Sequence, residues 1–385
     1  MNANLLSLTE RIIRRSDHDH PADDVLRLEL KNQRGLPREE AAEISRSVFS
    51  YYRWRGWLEP HQPLPNQLKR AAELTAEFAK RPESFSDSEL IARAVPQWIR
   101  EEIQVAPAFA RALQSEPRLW LRARSGHGKF VSQRLRHCRP FGEGVLSDIL
   151  EYQGRDDLFR TPQFQAGDFE LQDLSSQAVG LVCAPAPTET WWDVCAGEGG
   201  KMLHLSDLMQ NKGLIWATDR ADWRLRRLKR RAARAKVFNY RTAIWEGAAK
   251  LPTKGKFDGV LVDAPCSGTG TWQRNPHARW TLTPADLKEL SALQNQLLAR
   301  ATMAVKPAGK LIYSVCSLAW SETEAVVERF NSSGLPFTPV ALLNPLKPQI
   351  PPTTKLILQP QDFGGNGMFI AAWTRTATLG ATKKP

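Results

Sequence analysis

Apolar positions recur at helical spacing along the first part of the chain. They fall at Leu5, Leu8, Ile12 and Ile13, then at Val25, Leu26, Leu28 and Leu30, then at Ala41, Ile44, Val48 and Phe49. Pro37 stands at a first helical turn, just ahead of the acidic pair Glu39-Glu40, where a fixed φ and negative charge both suit exposed N–H groups. Breaks fall near Gly35, between Pro60 and Pro65, and at Arg81-Pro82. Strand alternation is absent, so residues 1–110 read as a small helical domain. Residues 115–170 differ: Leu119-Trp120-Leu121-Arg122 reads as a short strand, and Gly126, Gly128, Gly142 and Gly144 interrupt the stretch beyond it. That pattern suits a small α/β connector. From residue 171 to 378, apolar runs at Thr190–Cys195, Leu214–Thr218, Thr242–Trp245, Gly259–Val262 and Lys310–Val315 alternate with helical stretches near 201–210, 222–236 and 284–304. The alternation predicts a parallel sheet covered on both faces. Leu356-Ile357-Leu358 and Met368–Trp373 complete its edge as a hairpin across Gly364-Gly365-Asn366-Gly367, for seven strands in all. Residues 379–385 read as a basic tail.

The chain has 385 residues, enough for two or three domains, and is 42% hydrophobic and 24% charged, a globular composition. No apolar run reaches the roughly 20 residues of a membrane helix. Met1–Arg15 lacks the apolar core and cleavage site of a signal peptide, so the expected location is the cytoplasm, with no membrane partner. Charge changes the picture further. Lysine plus arginine is 53 against 41 aspartate plus glutamate, a net +12 that points to a polyanionic partner, nucleic acid first. Arg224, Arg226, Arg227, Lys229, Arg230, Arg231, Arg234 and Lys236 crowd one stretch that holds no acid. Solvated helix faces normally mix signs, so this one favours RNA backbone contact. The five cysteines (Cys138, Cys183, Cys195, Cys266 and Cys316) are odd in number and form no C-x-x-C pair. That argues against a disulfide framework and against zinc, and no metal is expected.

Chemistry gathers where the apolar runs end. The first run, Trp191-Trp192-Asp193-Val194-Cys195, opens into Ala196-Gly197-Glu198-Gly199-Gly200-Lys201. The second ends in Asp219, the fourth in Asp263-Ala264-Pro265-Cys266-Ser267-Gly268 and the fifth in Cys316-Ser317. Ligands of an open α/β sheet bind outside the carboxyl ends of its strands, so these four clusters should converge. The glycine loop is neither G-x-G-x-x-G, because Met202 stands at the third glycine, nor a phosphate loop. With Asp219 placed to grip ribose hydroxyls and no phosphate fingerprint, an adenosyl ligand carrying a cation fits better than a dinucleotide. S-adenosylmethionine is such a ligand, and a nicotinamide dehydrogenase is disfavoured. Taken alone, the loop is equally compatible with an ordinary βα turn. Pro265 presents Cys266 at a stiff turn. Cys316 precedes a helix that Ser321 and Glu324 would open as an S-x-x-E capping box, and a helix N-terminus with nearby cations favours thiolate. A lone cysteine after a strand is usually buried packing; two at neighbouring strand ends, beside a carboxylate and a glycine loop, favour reactive thiols. Trp272, Arg274, His277 and Arg279 come after the Cys266 loop and are candidates to clamp a target nucleotide, with Trp280 expected to pack against the sheet.

The segments WWDVCAGEGGK, ATDR, FDGVLVDAPCSGTG and LIYSVCS resemble the RsmB/Nol/Sun family of RNA cytosine-5 methyltransferases. The resemblance covers about 200 residues of the second half, from Phe169–Gln177 to Gly367–Ala371. Asp23–Leu58, with Tyr52-Arg53-Trp54-Arg55, looks like the NusB-like helical domain of bacterial ribosomal RNA members. The resemblance implies a Rossmann-like class I methyltransferase domain at 171–378, a mixed seven-stranded sheet, preceded by a NusB-like RNA-binding domain at 1–110 and the connector at 115–170. It implies S-adenosylmethionine lined by Cys195, Ala196, Gly197, Glu198, Gly199, Gly200 and Lys201, with Asp219 on the ribose and Asp263 also at the cofactor. Glu246 takes the place of an expected aspartate at the adenine end. Cys316 would be the nucleophile, Cys266 would assist release, and Asp263 would hydrogen-bond the cytosine and move protons. Gly197-Glu198 and Val315 depart from the family's usual Ala-Pro and threonine; a glutamate in the loop is compatible with a cationic ligand.

The implied substrate is 16S ribosomal RNA, acted on by a monomer. Transfer RNA is the alternative substrate, and a non-catalytic RNA-binding or assembly factor is the alternative class. In DNA cytosine-5 methyltransferases the Pro-Cys cysteine is the nucleophile, so the swapped assignment of Cys266 and Cys316 stays open.

Overall fold

The computed structural model describes residues 2–33 and 35–376, so the basic tail at 379–385 lies outside the described residues. The first part of the chain is helical. Ala3–Arg15, Ala22–Asn32 and Arg38–Trp54 bury the faces their spacing predicts, and Leu5, Leu8, Ile12 and Ile13 pack with Val25, Leu26, Ile44 and Val48. Leu28 is the exception and faces solvent. Pro37 sits one position outside the helix it was expected to open, as its N-cap, with Glu39-Glu40 in the first turn.

The strands are β1 (Leu119–Ala123), β2 (Cys138–Pro140), β3 (Ile149–Tyr152), β4 (Phe169–Leu171), β5 (Thr190–Asp193), β6 (Leu214–Asp219), β7 (Tyr240–Ile244), β8 (Phe257–Asp263), β9 (Val305–Val315), β10 (Phe337–Pro339), β11 (Lys355–Leu358) and β12 (Met368–Arg375). The first four form a small antiparallel sheet in the order β2-β3-β1-β4, closed over Val131 of the Gly128–Arg134 helix. The other eight form one mixed sheet in the order β10-β12-β9-β8-β5-β6-β7, with β11 also on the outer edge of β12. Strands β5 to β9 are parallel, and β12 runs antiparallel to β9. This is the expected Rossmann-like α/β arrangement with one correction. The sheet has eight strands rather than seven, because Phe337–Pro339 pairs with Trp373–Arg375. Three residues ending in proline show no alternation, so the pattern could not report them. Nor are β11 and β12 joined by a tight turn: residues 359–367 contain the helical turn Pro360–Phe363.

Alternate side chains of the central strands enter two opposite cores. Trp191, Leu261, Ile312 and Ile370 pack with Met202, Leu203, Leu225 and Leu228 on one face. Trp192, Val260, Val262, Tyr313 and Phe369 pack with Leu297, Leu298 and Val326 on the other. Burial on both faces explains why these strands read as continuous apolar runs. Gly259 is required by contact: a Cβ there would lie 2.3 Å from the Trp191 ring. The sheet order reverses between β5 and β8, which opens a crevice at their carboxyl ends.

The segment after the Cys266 loop holds the helical part against the sheet, and this corrects its expected role as a nucleotide clamp. Trp272 is fully buried in a core that joins Trp54, Leu90 and Phe109 to Leu287 and Ala319. Arg279 is also fully buried and donates to the carbonyls of Ala94 (2.8 Å), Leu113 (3.1 Å), Trp272 (3.2 Å) and Arg53 (3.4 Å). His277 meets the edge of Tyr52, and Arg274 donates to the Arg118 carbonyl (2.9 Å). Trp280 packs, but against the helices: its Nε1 donates to the Tyr52 carbonyl (2.7 Å). Burial, with Arg53 nearby, lowers the Arg279 pKa to about 9, so it is cationic near neutral pH and is held by carbonyl dipoles. Arg279→Ala should therefore lower the unfolding free energy by about 3 kcal/mol, as breaking buried charged networks does. Urea denaturation measures this; a loss below about 0.5 kcal/mol, the range of neutral surface changes, would mean apolar contact alone joins the two parts.

Candidate active site

Parallel pairing of β8 and β9 sets Asp263 opposite Ser314, so the turns beyond them emerge side by side. Cys266 and Cys316 lie on those turns with their Sγ atoms 3.3 Å apart, both partly accessible. Between them and the glycine loop stands Asp263, whose carboxylate accepts from Lys201 Nζ (2.7 Å) and Ser314 Oγ (2.8 Å). Four expected site residues from three strand ends thus meet.

The two thiols are unequal. A hydrogen bond from Cys266 holds Cys316 below its ordinary pKa, and the Lys201 ammonium helps, against burial and the carboxylates of Asp263 and Glu322. The same hydrogen bond pushes Cys266 up, and burial and Glu322 add to it. Both shifts make Cys316 the more acidic thiol of the pair. No capping box contributes. The helix Glu324–Asn331 has Thr323 as N-cap without a side-chain bond, and the Ser321 N–H donates instead to Glu102 Oε2 (3.0 Å). Residues Trp320–Glu322 form a tight turn that takes up the spacing.

The loop Cys195–Lys201 leads from β5 into the helix Gly200–Leu208. Gly199 is left-handed (φ +87°), and a Cβ there would lie 2.7 Å from Leu228 Cγ. At Gly197 (φ +54°) and Gly200 a Cβ would meet nothing within 4 Å, so open space faces the loop. Asp219 Oδ2 accepts the Gly197 N–H (3.0 Å) and Oδ1 the Ala221 N–H (2.8 Å), which pins loop to strand end. Ala196 is held by its N–H to the Thr218 carbonyl (2.8 Å). Burial, then Asp193, pushes the Cys195 thiol up. Asp193 itself is wholly buried, and burial followed by Asp263 raises it to about 8, against the Lys201 ammonium and the Met202 N–H. Glu246 lies exposed on the rim after β7; its neighbour Trp245 donates its N–H to the Asp219 carbonyl (3.1 Å). Glu198 does not stand free over the loop. Its carboxylate takes Arg227 (2.6 Å) from the helix beneath.

That helix, Asp222–Arg234, carries the cationic stretch, and its own first residue together with acids from elsewhere in the chain supplies partners. Leu225, Leu228 and Ala232 face the core. Arg226 pairs with Asp222, while Arg231 and Arg234 share the buried Glu170 of β4. Lys229, Arg230 and Lys236 are exposed, beside an exposed Trp223 whose ring is covered by Arg224 and Arg227.

Glu322 is the functional-site residue that sequence reasoning missed. It is fully buried, and its carboxylate accepts from the Ser267 N–H (2.9 Å), Ser317 Oγ (2.6 Å), Gln294 Nε2 (2.9 Å) and Ser267 Oγ. The available signal was the serine directly after each cysteine, a repeated Cys-Ser pair implying a shared acceptor.

Among the described residues no group of three or more His, Cys, Asp or Glu is placed to hold a metal, and no helix is long and apolar enough to cross a membrane. A probable ribosomal RNA small subunit methyltransferase B from Synechocystis is 42% identical over 178 residues, 45% of this chain and 39% of that protein. One of the same description from Bacillus subtilis is 33% identical over 292 residues, 72% of this chain and 65% of that protein. The chain thus spans less than two thirds of the length of these curated relatives. The crystal structure of a methyltransferase homologue from Pyrococcus horikoshii superposes with a TM-score of 0.57 at 26% identity, over 70% of this chain and 90% of that one. The profile of the family described as 16S rRNA methyltransferase RsmB/F matches residues 180–374. Since that match takes in half of the chain and all four strand-end motifs, the chain belongs to the RsmB/F methyltransferase family.

Proposed function

We propose that this protein transfers a methyl group from S-adenosylmethionine to carbon 5 of a cytosine in ribosomal RNA, in the cytoplasm, through a covalent bond from Cys316 to carbon 6. The observation that carries the reading is the pair of unequal thiols 3.3 Å apart beside the Lys201–Asp263 pair. Carbon 5 of cytosine is a poor nucleophile. Addition of the Cys316 thiolate to carbon 6, with protonation at ring nitrogen 3, turns the ring into an enamine. Asp263, held by Lys201 and Ser314, hydrogen-bonds the base and moves that proton. When bound, S-adenosylmethionine supplies the electrophilic methyl that carbon 5 attacks. Cys266 then assists release. Having first given its own proton to solvent, it takes the carbon 5 proton as thiolate, the C–H electrons close the ring double bond, the carbon 6–sulfur bond breaks, Cys316 leaves as thiolate, and Asp263 carries the nitrogen 3 proton away.

Open space at Gly197 and Gly200, at the start of a helix, supports a cofactor lying on the Cys195–Lys201 loop, with Asp219 on its ribose and Glu246 at its adenine end. Glu198, drawn off by Arg227, contributes its backbone to that loop. The methyltransferase domain would run over 171–378, with the connector at 115–170. The NusB-like helices at 1–110 and the exposed Lys229, Arg230 and Lys236 would take the RNA backbone. The names printed for the Synechocystis and Bacillus relatives favour small-subunit ribosomal RNA.

Cys316→Ala should reduce methyl transfer to background. Cys266→Ala should accumulate an RNA–protein adduct that survives denaturing electrophoresis, because addition proceeds and release does not. An adduct with Cys316→Ala instead would exchange the two roles.

The unequal thiols give a pH dependence of definite sign. A lowered pKa means that thiolate forms at lower pH, so Cys316 reactivity should rise on the acid side of the ordinary thiol value of about 8.5. Near neutral pH, iodoacetamide should alkylate Cys316 ahead of Cys266, Cys195, Cys183 and Cys138, the last pushed up to about 12 by burial. The acidic limb of kcat/KM should follow the same midpoint. Peptide mass spectrometry checks the order; labelling of Cys266 first would contradict it.

A further inference from the structure

We propose that Glu322 is a positioning residue for the thiol chemistry: its buried carboxylate locks the two cysteine turns together so that the sulfurs meet. The proposal rests on the methyl-transfer reading of the same site. Glu322 Oε1 accepts from the Ser267 N–H and from Gln294 Nε2, and Oε2 accepts from Ser267 Oγ and Ser317 Oγ. Ser267 directly follows Cys266, and Ser317 directly follows Cys316. One carboxylate thus grips the residue next to each sulfur.

The surrounding bonds tighten the same clamp. Gln294 Nε2 also donates to the Pro265 carbonyl (2.9 Å), and Tyr313 OH bridges Gln294 Oε1 (3.1 Å) and the Glu322 carbonyl (2.7 Å). Thr269 Oγ1 lies 3.0 Å from Ser317 Oγ, and the Gly270 N–H donates to the Cys316 carbonyl (3.0 Å).

A neutral side chain could staple two turns, so the charge needs its own reason. A buried carboxylate without a cation is costly and persists only where donors saturate it. No ion pair engages Glu322 among the described residues; hydrogen-bond donors alone meet its charge. The charged groups acting on Cys316 are Lys201 from the helix after the glycine loop, Asp263 from the end of β8, and Glu322. On Cys266 they are Glu322 and Cys316 itself, and the Tyr313 phenol packs nearby with its own pKa raised. Lys201 favours thiolate at Cys316, while Glu322 opposes thiolate at both sulfurs. The outcome is a Cys316 that gives up its proton before Cys266 does.

The test uses the purified full-length protein and three readouts: iodoacetamide alkylation of each cysteine against pH, the yield of a Cys266–Cys316 disulfide on oxidation by diamide, and methyl transfer to RNA. Removing the negative charge favours both thiolates, so Glu322→Gln should move both alkylation midpoints downward, by about half a pH unit or more. It should cut kcat by about tenfold or more while KM for S-adenosylmethionine stays within about twofold, as loss of a buried hydrogen-bond acceptor predicts. Ser267→Ala/Ser317→Ala keeps the charge and removes hydroxyl tethers. It should lower kcat and disulfide yield and, by weakening the hydrogen bond between the sulfurs, bring the two midpoints closer together. Unmoved midpoints in Glu322→Gln, or a kcat loss matched by a rise in KM, would overturn the proposal. If Glu322→Gln does not fold, unchanged disulfide yield and kcat in the serine variant would overturn it. Failure of the unaltered protein to methylate any RNA refutes the functional reading and leaves both thiol measurements able to judge Glu322.

Discussion

The contact between the Cys266 and Cys316 sulfurs is a consequence of strand register. Asp263 and Ser314 pair across parallel strands β8 and β9, and each cysteine lies on the turn just beyond. A slip of one residue would turn Ser314 away from Asp263 and carry Cys316 to the opposite face of the sheet. The order β9-β8-β5 then brings the glycine loop alongside, so that Lys201 reaches Asp263. The site depends on no long loop to assemble it. Three adjacent strands end at one rim, and two packed cores hold those strands in place.

That rim was largely legible from the residues. Continuous apolar runs marked the strands buried on both faces, and chemically distinctive residues came after each run. Motifs on strand ends are read well because period and chemistry are both local. What escaped was made by distant parts of the chain. Arg279 looked available for a nucleotide, yet its partners are carbonyls at residues 53, 94, 113 and 272. Glu322 looked like part of a helix start, and the Ser-x-x-Glu spacing that suggested a cap at Ser321 was satisfied by a different fold of the same residues. The strand Phe337–Pro339 was too short to carry a pattern.

The same distinction governs the charges. Counted along the chain, Arg224–Lys236 is a run of one sign. In the folded protein Glu170 of β4, Glu198 of the glycine loop and Asp222 neutralise four of its arginines, so much of that charge fastens the small sheet and the loop to the large one. The cations left for an external anion are fewer and lie toward solvent. A net charge of +12 is thus partly structural, and its outward share is carried by specific residues rather than by the whole helix.

Which sulfur bonds to the base decides the mechanism. RNA carrying 5-fluorocytidine blocks loss of the substituent at carbon 5 and so holds the adduct after methyl transfer. Peptide mapping of the trapped protein should find the nucleotide on the peptide containing Cys316. Its appearance on the peptide containing Cys266, or the absence of any adduct while methyl transfer proceeds on ordinary RNA, would contradict the assignment of Cys316 as nucleophile.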